Sequence, residues 1–353
     1  MTTNGFTIDR HVIGAGAPVF FIAEAGVNHN SDLELGRQLV RAAKAAGADA
    51  VKFQTFRAER LNTRAAPKST YHVETTGPDA KQTWFELLKT QELSREAHEA
   101  LLACCREEGI VFLSTPYDEE SADLLESLDV AAFKIASTDT NNLPLLRHIA
   151  RKGRPMILST AMCTLDEARD AVETVRGEGL RELVVMHCTG NYPARLADTN
   201  MRALTTFARE LGVLTGYSDH TLESVNAAIA VALGASVYEK HFTLDRALPG
   251  PDHRMSLTVP ELTATIRLLR EAELALGSPV KAVLESEREN RLKLRKSLVA
   301  ARDLPAGRVL ERDDIAVKRP GTGMPPAALD GLLGRRLKAA LAADEQFEPV
   351  MIE

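Results

Sequence analysis

Between residues 19 and 277 short apolar runs alternate with longer segments whose apolar residues recur at three- and four-residue intervals. The runs are VFFIAEAG (19–26), AVKFQT (50–55), GIVFLSTP (109–116), AAFKIAS (131–137), PMILST (155–160), ELVVMHCTG (182–190), VLTGYSDH (213–220) and SVYEKHFT (236–243). Runs of this length with flanking turn residues predict strands, and the intervening 3.6-residue periodicity predicts helices. The first helix has Leu35, Leu39, Ala42 and Ala46 on one face, Ser31 or Asp32 as its cap and Gly47 as its stop. Ser94 and Asp118 start later helices, NLPLLRHIA (142–150) is another, and Thr199 or Asn200 begins one more. Thr164 with Glu167, and Thr258 with Glu261, form capping boxes, and the last helix of the series stops at Gly277.

Strands alternating with helices imply a parallel sheet. Eight such units over about 250 residues predict a closed (β/α)₈ TIM barrel. The alternative is an open doubly wound sheet. That fold carries a glycine-rich turn after its first strand, and GVNHN (26–30) is not GxGxxG.

Three stretches fall outside the alternation. Residues 6–17 predict a short β-ribbon with Gly14 and Gly16 as turn signals. Residues 57–90 form a long polar excursion with Tyr71 and the single Trp84, of a length that marks a lid, a binding loop or a disordered segment. VLESERENRLKLRK (283–296) is a charged helix or linker, after which short segments replace the long periodic ones. The expected organisation is a barrel domain at 1–282, a charged linker at 283–296 and a small domain at 297–353. A domain of that size buries little core and needs a partner surface.

Composition narrows the function classes. The 353 residues are 44% hydrophobic and 26% charged with a formal net charge of -6, which gives no support to nucleic-acid binding through a basic surface. Cys104, Cys105, Cys163 and Cys188 lack the spacing of a metal site or a disulfide framework, so a reducing cytoplasm is expected. The amino-terminal MTTNGFTIDR has no signal-peptide pattern, and no early apolar run is long enough to span a bilayer.

The active site of a barrel lies at the carboxyl ends of its strands. Here those ends carry Glu24, Lys52 and Gln54, Ser114 and Thr115, Lys134 and Ser137, Ser159 and Thr160, Thr189 and Tyr192, Ser218 and His220, and Glu239 and His241. Some of the hydroxyls are explained as helix caps. Two lysines inside apolar strands are not, because lysine is rarely buried without a partner. Lysines with hydroxyls suit a phosphate or carboxylate ligand. Alternation puts His220 on the face of Ser218 and His241 on the face of Glu239, so two imidazoles meet on neighbouring strand ends. Such a pair suits manganese, iron or zinc more than magnesium alone, and a metal with open positions polarises a carbonyl. Glu24 either orients or deprotonates a water, or forms a salt bridge with Lys52 or Lys134.

At these residues the chain resembles the sialic acid synthases, the family of N-acetylneuraminate and related nonulosonate synthases. The motifs are IAEAGVNHN, AVKFQTF, FLSTPYD, FKIAS, ILSTAM, HCTGNYPA, GYSDHT, EKHFT and GPDHRMS, and beyond the barrel KSLVAARDLPAG and KRPGTG are similar to that family's antifreeze-like (SAF) domain. The resemblance implies condensation of phosphoenolpyruvate with an N-acetylmannosamine-type aldose, giving a nonulosonic acid and phosphate. It implies a divalent metal held by His220 and His241, manganese first and magnesium or cobalt as alternatives. It implies phosphoenolpyruvate on Lys52, Thr115, Lys134, Ser137, Ser159 and Ser218, and the sugar on Gln54, Asp139, Tyr192 and Asp252. Glu24 would act on the attacking water. It further implies a domain-swapped homodimer in which Arg319 reaches the partner's sugar site.

Two positions depart from the family pattern. Asp139 stands where glutamate is frequent, and Gly190 where a polar side chain is frequent. Both lie on the ligand side, so legionaminate or pseudaminate synthesis from a diacetamido hexose is the alternative. Other readings are a metal-dependent hydrolase, which wants an HxH pair where this chain has Asn28-His29-Asn30, a Schiff-base aldolase using Lys52, Lys134 or Lys240, and a non-catalytic sugar-binding protein. His29, His72, His187 and His253 are expected to touch or support the site, Asp219 to support it from the opposite face, and Cys188 to pack.

Overall fold

The computed structural model describes residues 5–79 and 81–353. The chain divides into two compact units, 1–277 and 278–353. The first begins with an antiparallel hairpin of β1 (Phe6–Ile8) and β2 (His11–Ile13). Its turn is made at Asp9 and Arg10, with Asp9 at φ 52°, rather than at the glycines. Asp tolerates this left-handed backbone because its short side chain bonds locally.

Eight parallel strands follow: β3 (Phe20–Gly26), β4 (Ala50–Thr55), β5 (Val111–Pro116), β6 (Phe133–Ile135), β7 (Met156–Ser159), β8 (Leu183–Cys188), β9 (Leu214–Asp219) and β10 (Val237–Thr243). The ladders run β5-β4-β3-β10-β9-β8-β7-β6. The end strands β5 and β6 lie side by side without a ladder, so the barrel is nearly closed. This closure rules out the doubly wound sheet. The barrel helices span Leu33–Ala46, Arg95–Glu108, Glu119–Ser127, Leu143–Ala150, Leu165–Gly177, Ala203–Leu211, Val225–Ala232 and Val259–Leu276. Asp32 caps the first through the amides of Glu34 and Leu35, and both expected capping boxes form. The helix expected from Thr199 or Asn200 starts only at Ala203, because Leu196–Asp198 forms a 3-10 turn ahead of it and Asn200 takes a φ of 42°.

Two layers fill the barrel. At the amino-terminal end Phe20, Ile22, Ala50, Val111, Leu113, Ile157, Val184, Met186, Leu214 and Val237 meet inside, and Ile8 and Ile13 of the hairpin plug the base. Burying each large side chain of this plug contributes roughly 1.5–3 kcal/mol. Two residues further along the same strands the inward positions turn polar: Glu24 after Ile22, Lys52 after Ala50, Thr115 after Leu113, Ser159 after Ile157 and Glu239 after Val237. The apolar base thus supports a polar floor above it. Outward residues such as Phe21, Phe53, Phe133, Leu158, Val185 and Phe242 pack under the helices.

The described residues of the excursion after β4 are folded. It carries short helices at Ala58–Leu61, Thr70–Thr76 and Trp84–Lys89, the last with a Thr83/Glu86 capping box. A satellite core of Val27, Phe56, Ala58, Phe85 and Leu88 sits under it. The second unit pairs Ser297–Ala300 antiparallel with Ile315–Lys318 around Leu298, Leu304, Leu310, Leu332, Leu337 and Phe347. Its exposed leading segment includes the helix Arg288–Leu294. Among the described residues no helix is long and apolar enough to cross a membrane.

Candidate active site

The carboxyl ends of the barrel strands enclose a cavity of about 490 Å³. Its lining brings together Glu24, Lys52, Gln54, Thr115, Lys134, Ser137, Asp139, Ser159, Tyr192, Ser218, His220, His241 and Asp252. These are all the residues to which the family resemblance gives a role except Arg319, which lies exposed in the second unit. Ser114 and Thr160 lie off the lining: Ser114 bonds Thr55 at 2.6 Å, and Thr160 bonds the Met186 carbonyl at 2.8 Å. Of the supporting histidines only His72 lines the cavity, and it stacks on Trp84 with 4.2 Å between ring centres.

The floor is an ion network. Lys52 and Lys134 are 4% and 2% exposed, and Glu24 and Glu239 are 1% and 3% exposed. Lys52 Nζ lies 2.7 Å from Glu24 Oε2 and 3.8 Å from Glu239 Oε2, and Lys134 Nζ lies 3.7 Å from Glu239 Oε2. Each lysine also has a hydroxyl partner, Thr115 Oγ1 at 3.2 Å for Lys52 and Ser159 Oγ at 2.6 Å for Lys134. Ser218 donates to Glu239 Oε1 at 3.1 Å. Glu239 is a strand-end residue to which sequence reasoning assigned no role. Its place opposite His241 on the same face of β10 was the available signal.

Burial and neighbours set the charge states. Burial raises Glu24 to about 7 despite the opposing pull of Lys52, which leaves it poised between forms near neutral pH. Burial works against the charge on Glu239 too, but Lys134 and Lys52 overcome it and hold that carboxyl below its ordinary value. Burial lowers Lys134, whereas on Lys52 the two glutamates outweigh burial and raise it. Burial also lifts Asp252 to about 6. Aligned lysines with adjacent hydroxyls form an anion cradle whose counter-charges are the glutamates.

His220 and His241 face each other from β9 and β10, with 5.6 Å between ring centres at 71°. The Nδ1 of His220 donates to the Thr189 carbonyl at 2.6 Å, which leaves its Nε2 lone pair for the cavity. His241 Nδ1 is buried without a partner, 4.0 Å from Asp252 Oδ2. Burial pushes His220 down to about 4 and His241 well below the usual value, so both stay neutral, the form that ligates a metal. An orphaned buried nitrogen opposite a tautomer-fixed imidazole fits a divalent cation. Among the described residues no group of three or more His, Cys, Asp and Glu side chains is placed to hold a metal ion, so the pair by itself offers two protein ligands.

The residues that the resemblance assigns to a sugar form the wall. Asp139 accepts from Asn142 Nδ2 at 2.9 Å and from Thr138 Oγ1 at 3.3 Å. Tyr192 stacks on His220 at 4.1 Å. Gly26, at φ 54°, leaves room that a Cβ would fill, 3.3 Å from Glu24 Oε1 and 3.4 Å from Asp252 Oδ2 and Gln54 Nε2. At Gly190 a Cβ would meet Met162 Cγ at 2.9 Å, so the methionine occupies the space of the missing side chain. Cys188, expected to pack, also lines the cavity, 3.2 Å from Ser137 Oγ. Tyr71, His72, Trp84 and Leu88 bring the excursion after β4 into the wall, with Gln91 just beyond it. No local pattern announced these contacts, which depend on how the loop folds back. Lys240, one of the candidate Schiff-base lysines, points away from the cavity and is held by Asp219 at 2.7 Å.

The NeuB family profile matches residues 39–281, and the SAF domain profile matches residues 295–353. The chain is 44% identical over 334 residues to the N,N'-diacetyllegionaminic acid synthase of Legionella pneumophila, covering 94% of this chain and 93% of that protein. It is 35% identical over 343 residues to the N-acetylneuraminate-9-phosphate synthase of Mus musculus, covering 97% and 94%. The crystal structure of spore coat polysaccharide biosynthesis protein SpsE from Bacillus subtilis superposes with a TM-score of 0.68 at 36% identity, covering 99% of each chain. With a barrel whose strand ends carry the family's motifs and a carboxyl-terminal SAF unit, the chain belongs to the NeuB family of sialic acid-type synthases.

Proposed function

We propose that the protein condenses phosphoenolpyruvate with an N-acylated aldose to give a nonulosonic acid and inorganic phosphate. The observation that carries this reading is the juxtaposition, in one cavity, of a two-lysine anion cradle and a neutral histidine pair. Lys52 with Thr115, and Lys134 with Ser159, hold the phosphate and carboxylate of phosphoenolpyruvate, with Ser137 and Ser218 completing the cradle. Gln54, Asp139, Tyr192 and Asp252 hold the sugar. His220 and His241 would hold a divalent cation, manganese first, which would supply Lewis-acid polarisation of a carbonyl.

In this reading the methylene carbon of phosphoenolpyruvate attacks the aldehyde carbon, and the aldehyde oxygen becomes a hydroxyl by taking up a proton. The positive character left at the phosphate-bearing carbon is met by water. Glu24, with a pKa near 7 in its buried setting, takes the water's proton. The hydroxyl of the resulting tetrahedral carbon loses its proton as the carbon–oxygen bond to phosphate breaks, leaving a keto group, so the two protons of water end on the new hydroxyl and on the released phosphate. The floor contributes mainly positioning and fixed charge.

A second reading concerns the aldose. The 44% identity to a protein named N,N'-diacetyllegionaminic acid synthase, with aspartate at 139 and glycine at 190, favours a diacetamido hexose over N-acetylmannosamine. We further infer a homodimer in which Arg319 reaches the partner's sugar site. The exposed apolar side chains of Met162, Leu196 and Leu222 between strands and helices, and of Val225 at the start of a helix, suit a covering partner.

Phosphate release from phosphoenolpyruvate with a panel of aldoses, with manganese and with chelator, tests both readings. Release that needs manganese and is abolished by His220→Ala supports the condensation, and the aldose that sustains it selects between the two sugars. A folded, manganese-loaded protein that releases no phosphate with any aldose sinks the synthase reading.

A further inference from the structure

The residue before each cavity histidine points to the other side of the sheet. Asp219 precedes His220 at the end of β9, and Lys240 precedes His241 in β10. The two are register partners on adjacent strands, and both are 1% exposed. Neither lines the cavity. Lys240 Nζ donates to Asp219 Oδ2 at 2.7 Å, to the Thr221 carbonyl at 2.6 Å and to the Glu223 carbonyl at 3.1 Å. Asp219 Oδ2 accepts in addition from the Tyr238 hydroxyl at 2.6 Å, and its Oδ1 accepts from the Thr221 amide at 2.9 Å and hydroxyl at 2.8 Å.

Residues 219 and 221 are therefore both gripped, one on each side of His220, by a side chain anchored on the residue before His241. Stability alone does not account for this arrangement, since two well-packed apolar groups would hold a buried site about as well. An apolar pair would not supply the directed bonds to the amide, hydroxyl and carbonyl of Thr221. The two histidines also differ in their own support. His220 is tied to Thr189, whereas His241 Nδ1 has no partner among the described residues, so the direction of its ring rests on its strand.

We propose that Asp219 and Lys240 are positioning residues that set the spacing of His220 and His241 from the outer face of the barrel, and so set the affinity of the pair for a divalent cation. The proposal rests on the reading that these histidines hold the metal. It separates metal affinity from anion affinity, because Lys52 and Lys134 stand on β4 and β6 with Thr115 and Ser159 as hydroxyl partners, and the cradle meets β9 and β10 only through Ser218 and Glu239 on the inner face.

The test is Mn²⁺ titration, followed by the electron paramagnetic resonance signal of free Mn²⁺, on wild type, Lys240→Met and Asp219→Asn. Phosphoenolpyruvate binding is measured calorimetrically on the same samples without metal, and circular dichroism reports folding. Disturbing the support of metal ligands typically costs about 10–100-fold in affinity, and that loss is expected here, with phosphoenolpyruvate binding kept within about twofold. The double variant D219N/K240M leaves no unpaired buried charge and is expected to lose manganese similarly, so it keeps the test open if a single variant fails to fold. Wild-type manganese affinity in any folded variant overturns the proposal. So does a parallel loss of both ligands, which signals general loosening. A wild-type protein that binds no manganese overturns the metal reading together with the clamp, whereas tight wild-type binding with unchanged variants overturns the clamp alone.

Discussion

At the residue scale the chemistry turns on Glu24, whose ionisation near neutral pH follows from its place in the floor. Burial holds its proton up to about pH 7, against the attraction of Lys52 at 2.7 Å. In the proposed role the carboxylate form is the competent base, so kcat/KM should rise as pH passes through about 7. Glu24→Gln keeps the size and removes the base. Its expected effect is a fall of about 10²–10⁴ in kcat with loss of that acidic limb, read from phosphate release across pH. Stability carries the opposite sign. The folded chain holds this proton more tightly than an unfolded glutamate with its value of 4.5, so Glu24's contribution is full below 4.5 and is lost as pH rises toward about 7. E24Q should remove that slope from urea titrations, which separates the base from a residue that only braces Lys52.

At the scale of the element, each strand carries two instructions in one alternation. Inward positions run from apolar to polar along the strand, and outward positions stay apolar under the helices. β9 shows how tightly the inner layer closes: Gly216 lies between Leu214 and Ser218, and a Cβ there would lie 2.7 Å from the Val237 carbonyl and 3.1 Å from Met186 Cγ. Gly216→Ala should therefore cost about 1–3 kcal/mol, seen as a lower urea midpoint with the slope unchanged. The same alternation is why the floor was legible before any coordinates: Lys52 and Lys134 stand out only because their neighbours are apolar. The parts that stayed hidden lack such a period. The excursion at 57–90 has its helices set by short caps such as Ser69 and Thr83, and its contacts to the cavity through Tyr71, His72 and Trp84 are long-range. The hairpin turn at Asp9 and the late helix start at Ala203 were missed for a related reason, since left-handed Asp9 and Asn200 carry weaker signals than glycine.

At the scale of the whole molecule the question is which chain completes a site. The cavity of the first unit already contains every floor residue of the proposed chemistry, whereas Arg319 belongs to the second unit and lies exposed there. If Arg319 serves the partner's sugar, the two functions separate genetically. His220→Ala spoils a barrel but leaves its own Arg319 intact, and Arg319→Ala leaves the barrel intact but spoils the cap it lends. Each variant alone should release little phosphate. Mixed in equal amounts and allowed to exchange subunits, half of the dimers become mixed, and each mixed dimer holds one barrel with intact histidines facing one intact arginine. Activity should then recover to about a quarter of wild type, the fraction of competent sites in random pairing. An arginine acting on its own barrel predicts no recovery, because no mixed dimer would then contain a complete site. The split between parameters adds a second check. Arg319→Ala should raise KM for the aldose and leave KM for phosphoenolpyruvate unchanged, because the anion cradle is built from barrel residues of the first unit alone.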